Sequence, residues 1–239
     1  MSHPESIPVR NVSAVECRTC GAGAPVDEHF CPNCSRLLAL GRHGDYFSFL
    51  GLPRALVLDP ADLERRFREL SRKFHPDFYY NAPAAERLAS LERSSYLNDA
   101  VRALRNPVTR IEHLLAIEGM APAKGEEGTA KVPPSLLEDV FALNEELDEI
   151  RELRESGAVA DALVARIEKA RAPIEERREA HEAQLRELSE RWDAQRDTAA
   201  PEQKRAILSA LRERLLERNY INNLLASIDR EMAHTGARA

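Results

Sequence analysis

The sequence has few aromatic residues, only four cysteines and no long apolar run. Aromatic residues make up 5% of the 239 residues, and strand-like alternation is absent after residue 40, so an all-β fold is not expected. No stretch approaches the roughly 20 apolar residues of a membrane span. Residues 1–16 show neither the apolar core of a signal peptide nor the pattern of a transit peptide. We therefore expect a cytoplasmic protein that is mainly α-helical.

Charge of one sign is not in large excess either. The formal net charge is −6 and no long basic run occurs, so nucleic acid is not an expected partner. Charged residues make up 31% and hydrophobic residues 43% of the chain. This balance is typical of a chain that folds around apolar cores.

The four cysteines all lie in one short segment, as Cys17-x-x-Cys20 and Cys31-x-x-Cys34. Two such pairs supply four thiolates to one tetrahedral ion, for which zinc is the first choice and iron an alternative. Two disulfides or free thiols remain the other interpretations, and disulfides are disfavoured without an export signal. His29 lies nearby, but four thiolates complete the coordination, so we expect it to be a bystander. The segment is too short for a core, so the metal is expected to supply its folding energy.

A basic amphipathic helix is predicted over residues 60–74. Asp59 suits the N-cap and Pro60 the first turn. One face carries apolar residues at spacings of 4, 3 and 4, namely Leu63, Phe67, Leu70 and Phe74. The other faces carry five cations, namely Arg65, Arg66, Arg68, Arg72 and Lys73.

The tripeptide His75-Pro76-Asp77 follows this helix. Pro76 cannot continue the helix and moves His75 out of helical geometry, so an exposed turn is predicted. A second helix over about residues 83–105 is expected to pack antiparallel on the first, through the apolar residues Leu88, Leu91, Leu97, Val101 and Leu104. Considered separately, the five cations are typical of a solvated helix face, and any given tripeptide occurs now and then by chance in a chain of this length. A catalytic pair of His75 and Asp77 lacks an adjacent nucleophile.

The order of these elements resembles a J-domain over about residues 45–118. The matching motifs are Asp45-Tyr46-Phe47-Ser48-Phe49-Leu50-Gly51-Leu52, Phe67-Arg68-Glu69-Leu70-Ser71-Arg72-Lys73-Phe74-His75-Pro76-Asp77 and Leu97-Asn98-Asp99-Ala100. The resemblance implies that the chain is not an enzyme but binds an Hsp70 and stimulates its ATP hydrolysis. The residues implied in that contact are His75, Pro76, Asp77, Arg65, Arg66, Arg68, Arg72 and Lys73.

Residues 135–239 are predicted to form an antiparallel three-helix bundle. The first helix has a core stripe at spacings of 4, 3, 4 and 3, namely Leu136, Val140, Leu143, Leu147 and Ile150. Helix breaks are predicted near Ser156-Gly157 and Thr198–Pro201, and Pro173 is expected to kink the middle helix. A second row, Leu137, Phe141, Glu145 and Glu149, lies beside the core stripe. We expect Leu137, Phe141 and Tyr220 to be exposed apolar positions.

The combination of these helices with the J-domain resembles HscB, the J-protein subfamily of iron–sulfur cluster assembly, over about residues 45–235. Asn144-Glu145-Glu146-Leu147-Asp148-Glu149-Ile150 and Arg110-Ile111-Glu112-His113-Leu114-Leu115 carry this resemblance. Some HscB proteins place a four-cysteine zinc module before the J-domain, as here. The resemblance implies delivery of the scaffold protein IscU to an HscA-type Hsp70. The implied scaffold-binding residues are Leu137, Phe141, Glu145, Glu149 and Tyr220.

This interpretation divides the chain into a tail (1–16), a zinc-binding module (17–40), a J-domain (45–118), a linker (119–134) and a client-binding domain (135–239). A general J-protein for other folding clients is the main alternative, disfavoured because no Gly/Phe-rich linker is present. A zinc-ribbon nucleic-acid module is disfavoured by the acidic net charge, and a metalloenzyme by a site with no open ligand position. The cysteine module and the long helices are also compatible with a homodimer.

Overall fold

The structure, a computed structural model, describes residues 14–26, 28–40, 45–121 and 132–236. The chain divides into two compact units, Met1–Ile117 and Glu118–Ala239. Most of the predicted tail and linker lies outside the described residues. Within the described ranges, no helix has the length and apolarity needed to span a membrane.

The first unit joins a small two-stranded sheet to a set of helices. Strands β1 and β2 pair antiparallel, with Val15 opposite Ala24. The elements are β1 Ala14–Glu16, β2 Gly23–Pro25, α1 Tyr46–Phe49, α2 Pro60–Phe74, a 3-10 turn Pro76–Tyr79, α3 Ala84–Arg105 and α4 Pro107–Ile117. As predicted, the Asp59 carboxylate caps α2 by accepting from the Ala61 N–H at 2.9 Å.

Helices α2 and α3 run antiparallel, as expected from the sequence. Ser90, near the start of α3, donates to the carbonyl of Phe74 at the end of α2, whereas Arg105 at the end of α3 donates to Glu64 near the start of α2. The expectation that Leu88 and Leu91 pack in the core is wrong, because they are 48% and 55% exposed. The inward face of this part of α3 is formed by small and polar residues, namely Ala89, Ser90 and Arg93.

Helix α4 contributes two polar side chains that bind backbone atoms, the buried Arg110 and the partly buried His113. Arg110 donates from Nε to the Leu104 carbonyl at 2.6 Å and from Nη1 to the Leu56 carbonyl at 2.5 Å. His113 Nε2 accepts from the Tyr46 N–H at 3.0 Å, at the first residue of α1. Burial lowers the pKa of His113, which favours the neutral ring that this hydrogen bond requires.

The second unit is a three-helix bundle, as predicted. A 3-10 turn, Pro134–Leu136, leads into α5 Leu137–Glu155, α6 Ala160–Gln195 and α7 Pro201–Gly236. Gly157, at φ 88°, lies just beyond the end of α5, a position that favours glycine. Helix α6 continues through Pro173. One buried cluster of its core is formed by Leu136, Leu143, Leu147, Ile150, Leu163, Ile167, Ile174, Ile221, Leu224, Leu225 and Ile228.

Candidate functional sites

The four cysteines form one cluster suited to a tetrahedral metal ion. One ligand atom from each residue lies within 4.8 Å of the other three. The Sγ atoms of Cys17 and Cys34 are 3.6 Å apart and those of Cys20 and Cys31 are 3.7 Å apart. A tetrahedral zinc site with Zn–S bonds of about 2.3 Å separates its sulfurs by about 3.8 Å. The donor set and its spacing therefore fit a four-thiolate zinc site.

The two cysteine pairs fold into the same local turn. In the first, Gly21 donates to the Cys17 carbonyl at 2.8 Å, and in the second, Ser35 donates to the Cys31 carbonyl at 2.9 Å. Gly21 and Ser35 occupy matching positions with left-handed φ values of 72° and 58°. Glycine tolerates this region at little cost, whereas serine is strained there. The four cysteines are therefore held by two turns of the same conformation, one for each CxxC pair.

Backbone and side-chain donors make the thiol groups unequal. The N–H groups of Cys20 and Thr19 lower the pKa of Cys17, and the Asn33 side chain, followed by the Ala22 N–H, lowers that of Cys20. At Cys34 the Arg36 N–H favours the thiolate, but burial and the neighbouring thiols outweigh it and raise the pKa. Four thiolates this close repel one another, so a cation is needed to hold all four in the ionised form.

The His75-Pro76-Asp77 tripeptide forms an exposed turn at the end of α2, as predicted. His75 ends α2 and caps the following 3-10 turn, where its Nδ1 accepts from the Asp77 N–H at 3.3 Å. The side chains of His75 and Asp77 are 50% and 85% exposed. The Tyr79 hydroxyl donates to the Lys73 carbonyl at 2.9 Å and so links the turn to the last residues of α2.

The five cations of α2 are not equivalent in the structure. Arg65 pairs with Asp62 and Glu69, and Arg68 pairs with Glu64 at 3.1 Å. Arg66 pairs with Asp62 at 2.7 Å and also donates to the Leu50 and Gly51 carbonyls at 3.0 and 2.8 Å. In the described part of the chain, Arg72 and Lys73 alone among the five have no carboxylate partner, and they lie next to the turn. The positive charge available to a partner is therefore concentrated beside His75.

The predicted scaffold-binding row is partly exposed on α5. Phe141 is 69% and Leu137 is 39% exposed, and Glu145 also faces solvent. Glu149 is exposed but forms an ion pair with Arg166 of α6. Tyr220, expected to be exposed, is instead partly buried against the bundle core.

Two residues, His29 and Arg93, join the cysteine module to the helices, and the sequence did not predict this role for either of them. His29 is outside the cluster of four cysteines, as expected, but it is no bystander, because it contacts Phe49, Phe74 and Arg93. Arg93 is 1% exposed, in the core of the unit. The sequence carries a signal for Arg93, because it interrupts the inward row of α3, namely Ala89, Arg93, Leu97 and Val101.

Comparison with known proteins adds a structural likeness. No family model matches the chain. The crystal structure of human co-chaperone protein HscB matches with a TM-score of 0.61 and 23% identity, over 90% of this chain and 98% of that one. Chaperone HscB from Vibrio cholerae matches with a TM-score of 0.56 and 23% identity, over 78% of this chain and 96% of that one. The chain therefore has the HscB fold, with a cluster of four cysteines close enough to bind a metal ion.

Proposed function

We propose that this protein is a co-chaperone that binds an Hsp70 through the His75-Pro76-Asp77 turn and delivers to it an iron–sulfur scaffold protein of the IscU type. The exposed tripeptide at the end of a basic helix, in a chain with the HscB fold, is the observation that carries this proposal. The chain itself is not an enzyme in this scheme, and ATP hydrolysis belongs to an HscA-type Hsp70.

The electrostatics of α2 support binding of an acidic chaperone surface next to the turn. Arg72 and Lys73 lie directly before His75 and are not neutralised by a carboxylate in the described residues. Opposite charges speed association and orient the partners. Stimulation of hydrolysis further requires that the turn binds one Hsp70 conformation more tightly than another. Arg65, Arg66 and Arg68 are predicted to contribute less, since carboxylates already pair with them.

The client surface is proposed to lie on α5. Leu137 and Phe141 project apolar surface into solvent, and Glu145 and Glu149 extend the same row. Exposed aromatic and aliphatic side chains rimmed by charge are typical of a protein-binding patch. Tyr220 is the least supported member because the bundle core covers part of it. One chain that binds both partners raises their effective concentration for each other.

The four-cysteine site is proposed to hold one structural zinc ion. All four ligands come from the protein, so no coordination position remains for a substrate or an attacking water. The ion would supply folding energy to the module and no reaction chemistry. The Cys17, Cys20, Cys31 and Cys34 thiolates are the ligands in this proposal.

The Hsp70 role is tested by measuring ATPase stimulation with His75→Gln. We expect stimulation by the wild type to depend on scaffold protein and this variant to abolish it, because His75 lies on the exposed turn and its side chain is half exposed. Arg102→Gln on α3 is the matched control, since Arg102 is 80% exposed and pairs with Asp99. Full stimulation by His75→Gln would reject the role of the turn.

The client role is tested by scaffold binding to the double variant Leu137→Ala/Phe141→Ala. We expect affinity to fall by about 10-fold or more, the loss typical of truncating buried interface anchors. Leu153→Ala, which alters a residue of similar exposure on the same helix, should leave affinity unchanged. If the folded double variant binds the scaffold with unchanged affinity, this patch is not the scaffold-binding surface. Binding of unfolded polypeptides in place of the scaffold would favour the general J-protein alternative.

A further inference from the structure

The cysteine module packs against the residue that precedes the proposed chaperone-binding turn. Phe74, the last residue of α2, has no exposed surface. Its ring meets His29 at a centroid distance of 4.9 Å and Phe30 at 6.4 Å, both from the module. Its carbonyl accepts from the hydroxyls of Ser90 and Ser94 at 2.6 and 2.9 Å. The backbone position from which the turn starts is therefore held by α3, and one side of the Phe74 ring is packed by the module, with Phe49 of α1 a further ring contact at 5.9 Å.

Arg93 links α3 to the backbone of the module. Its Nε donates to the Leu38 carbonyl at 2.8 Å, and its Nη2 is 3.4 and 3.3 Å from the carbonyls of Glu28 and Ala39. The guanidinium carbon also lies 5.7 Å from the centroid of the Phe74 ring. No ion pair to Arg93 is present in the described residues, so backbone carbonyls of the module replace a carboxylate. Such hydrogen bonds to a buried charge cost several-fold more when lost than those at a surface.

His29 completes this connection. Its Nε2 lies 3.1 Å from the Phe49 carbonyl, so Nε2 carries the hydrogen and donates. Its Nδ1 then accepts from Arg93 Nη1 at 2.7 Å. One imidazole thus binds the arginine and stacks edge-on against both Phe49 and Phe74. These bonds require His29 and the carbonyls of the module to stay in place.

The module has little apolar core with which to keep that arrangement. Its buried cluster consists of Cys17, Ala24, Cys31 and Leu38, so two of its four members are metal ligands. A segment of this kind depends on the metal for its fold. Loss of the ion would release the carbonyls bound to Arg93 and the ring of His29. Phe74 would then lose its packing partners on one side.

We propose that Arg93 and His29 are positioning residues, which hold the His75-Pro76-Asp77 turn through Phe74 as long as the four-cysteine site holds its metal. The proposal rests on the proposed function, because it gives the turn its chaperone-binding role. It assigns the cysteine module a task in this chain beyond its own stability. Metal occupancy becomes a condition for a well-ordered chaperone-binding turn.

Amide hydrogen exchange in the full-length, zinc-loaded protein, with no Hsp70 present, tests this directly. The N–H groups of Asp77 and Phe78 are hydrogen-bonded within the turn, to His75 Nδ1 and to the His75 carbonyl. We expect zinc removal by a chelator to speed their exchange by about 10-fold, as local opening becomes easier. Amides of the C-terminal bundle serve as the internal reference.

The decisive arm combines zinc removal with Arg93→Met. The variant alone should speed exchange in the turn, and zinc removal should add little to it, because both act through the same contacts. His29→Leu, a milder change that leaves the carbonyl contacts of Arg93, should have an intermediate effect. Arg102→Met, on the exposed face of the same helix, should behave as wild type. Unchanged exchange in the turn would overturn the proposal, as would uniformly faster exchange throughout α2 and α3, which indicates a global stability role.

An ATPase assay separates this inference from the proposed function. If the zinc-loaded wild type stimulates an Hsp70, we expect stimulation to fall several-fold after zinc removal and in Arg93→Met. If zinc removal changes neither the ATPase stimulation nor the rate of amide exchange in the turn, the positioning role is rejected and the proposed function stands. Absence of stimulation by the zinc-loaded wild type would reject the proposed function, while the exchange data still decide whether the module orders the turn.

Discussion

The cysteine module and the C-terminal bundle are stabilised in opposite ways. Among the described residues, the buried cluster of the module contains four residues, two of which belong to the four-cysteine cluster. One buried cluster of the bundle, among the described residues, contains eleven leucine and isoleucine residues from its three helices and from the 3-10 turn before α5. Burial of apolar surface is the dominant favourable term in folding, and the module has little of it. The bundle is therefore expected to fold from its own side chains, whereas the module is expected to depend on a bound ion.

Removing the metal should give the largest difference in stability between the module and the bundle. In Cys17→Ser/Cys31→Ser we expect zinc to be lost, and with it an apparent binding free energy of about 10–16 kcal/mol that structural zinc supplies. The module should become sensitive to trypsin at Arg18 and Arg36, while fragments of the bundle persist. Metal analysis and mass spectrometry of the digest measure both effects. Equal loss of protection in the bundle would contradict the comparison.

Truncating the bundle core should have the reverse effect. Leu147 is 1% exposed, and Leu147→Ala is expected to cost about 2–5 kcal/mol through lost burial and a cavity. Denaturant unfolding followed by helical circular dichroism measures this cost, and zinc content should not change. Leu153→Ala on the same helix, where the side chain is 38% exposed, should cost about 0.5 kcal/mol or less. A fall in zinc content of Leu147→Ala would show that the two regions are not independent.

Acid should weaken the bundle through His181, by less than core truncation does. His181 is buried, its Nε2 donates to the Arg214 carbonyl at 2.7 Å, and its Nδ1 has no hydrogen-bond partner in the described residues. Burial lowers the pKa of His181, and the positive charges of Arg214 and Arg218 lower it further. The hydrogen bond to the Arg214 carbonyl and the charge of Glu217 raise this pKa, but by less. Because the folded pKa lies below the unfolded value of about 6.5, the stabilisation is present above that pH and is lost as the pH falls.

The measurement is the free energy of unfolding of the bundle as a function of pH in wild type and His181→Gln. We expect the decline below about pH 6.5 to be shallower in the variant, which has no group to protonate at this position. His234→Gln, at an exposed histidine on α7, should keep the wild-type slope. An unchanged slope in His181→Gln would exclude this histidine as the cause.

The smallest effect is expected from the backbone of the second cysteine pair. Ser35 adopts φ 58° where Gly21 occupies the matching position of the first pair. Ser35→Gly should relieve strain but add freedom to the unfolded chain, for a net gain of about 1 kcal/mol or less. Gly21→Ala should act in the opposite direction. Competition of each variant with a chromophoric zinc chelator measures the change, and weaker zinc binding by Ser35→Gly would contradict the argument.

The sequence was sufficient wherever local chemistry determines local structure. Proline and capping residues predicted the start of α2 and the turn at Pro76, and the spacing of leucines predicted the core stripe of α5. The CxxC spacing predicted that the four cysteines lie together, and they do. The sequence wrongly predicted Leu88 and Leu91 as core residues, because apolar spacing along α3 does not show which face of the helix the cysteine module covers. Tyr220 is partly buried for a different reason, because it packs against the core of the bundle, and spacing along one helix does not show which of its faces the neighbouring helices cover.

The sequence by itself determined the set of elements and two local features that they carry, a cluster of four cysteines and an exposed tripeptide after a basic helix. Only the tertiary structure showed that these two features meet, through Arg93, His29 and Phe74. Contacts between residues separated by 64 positions along the chain depend on packing between elements, which no local pattern encodes. It also showed which cations of α2 are already paired, since ion pairs depend on side-chain geometry and not on composition.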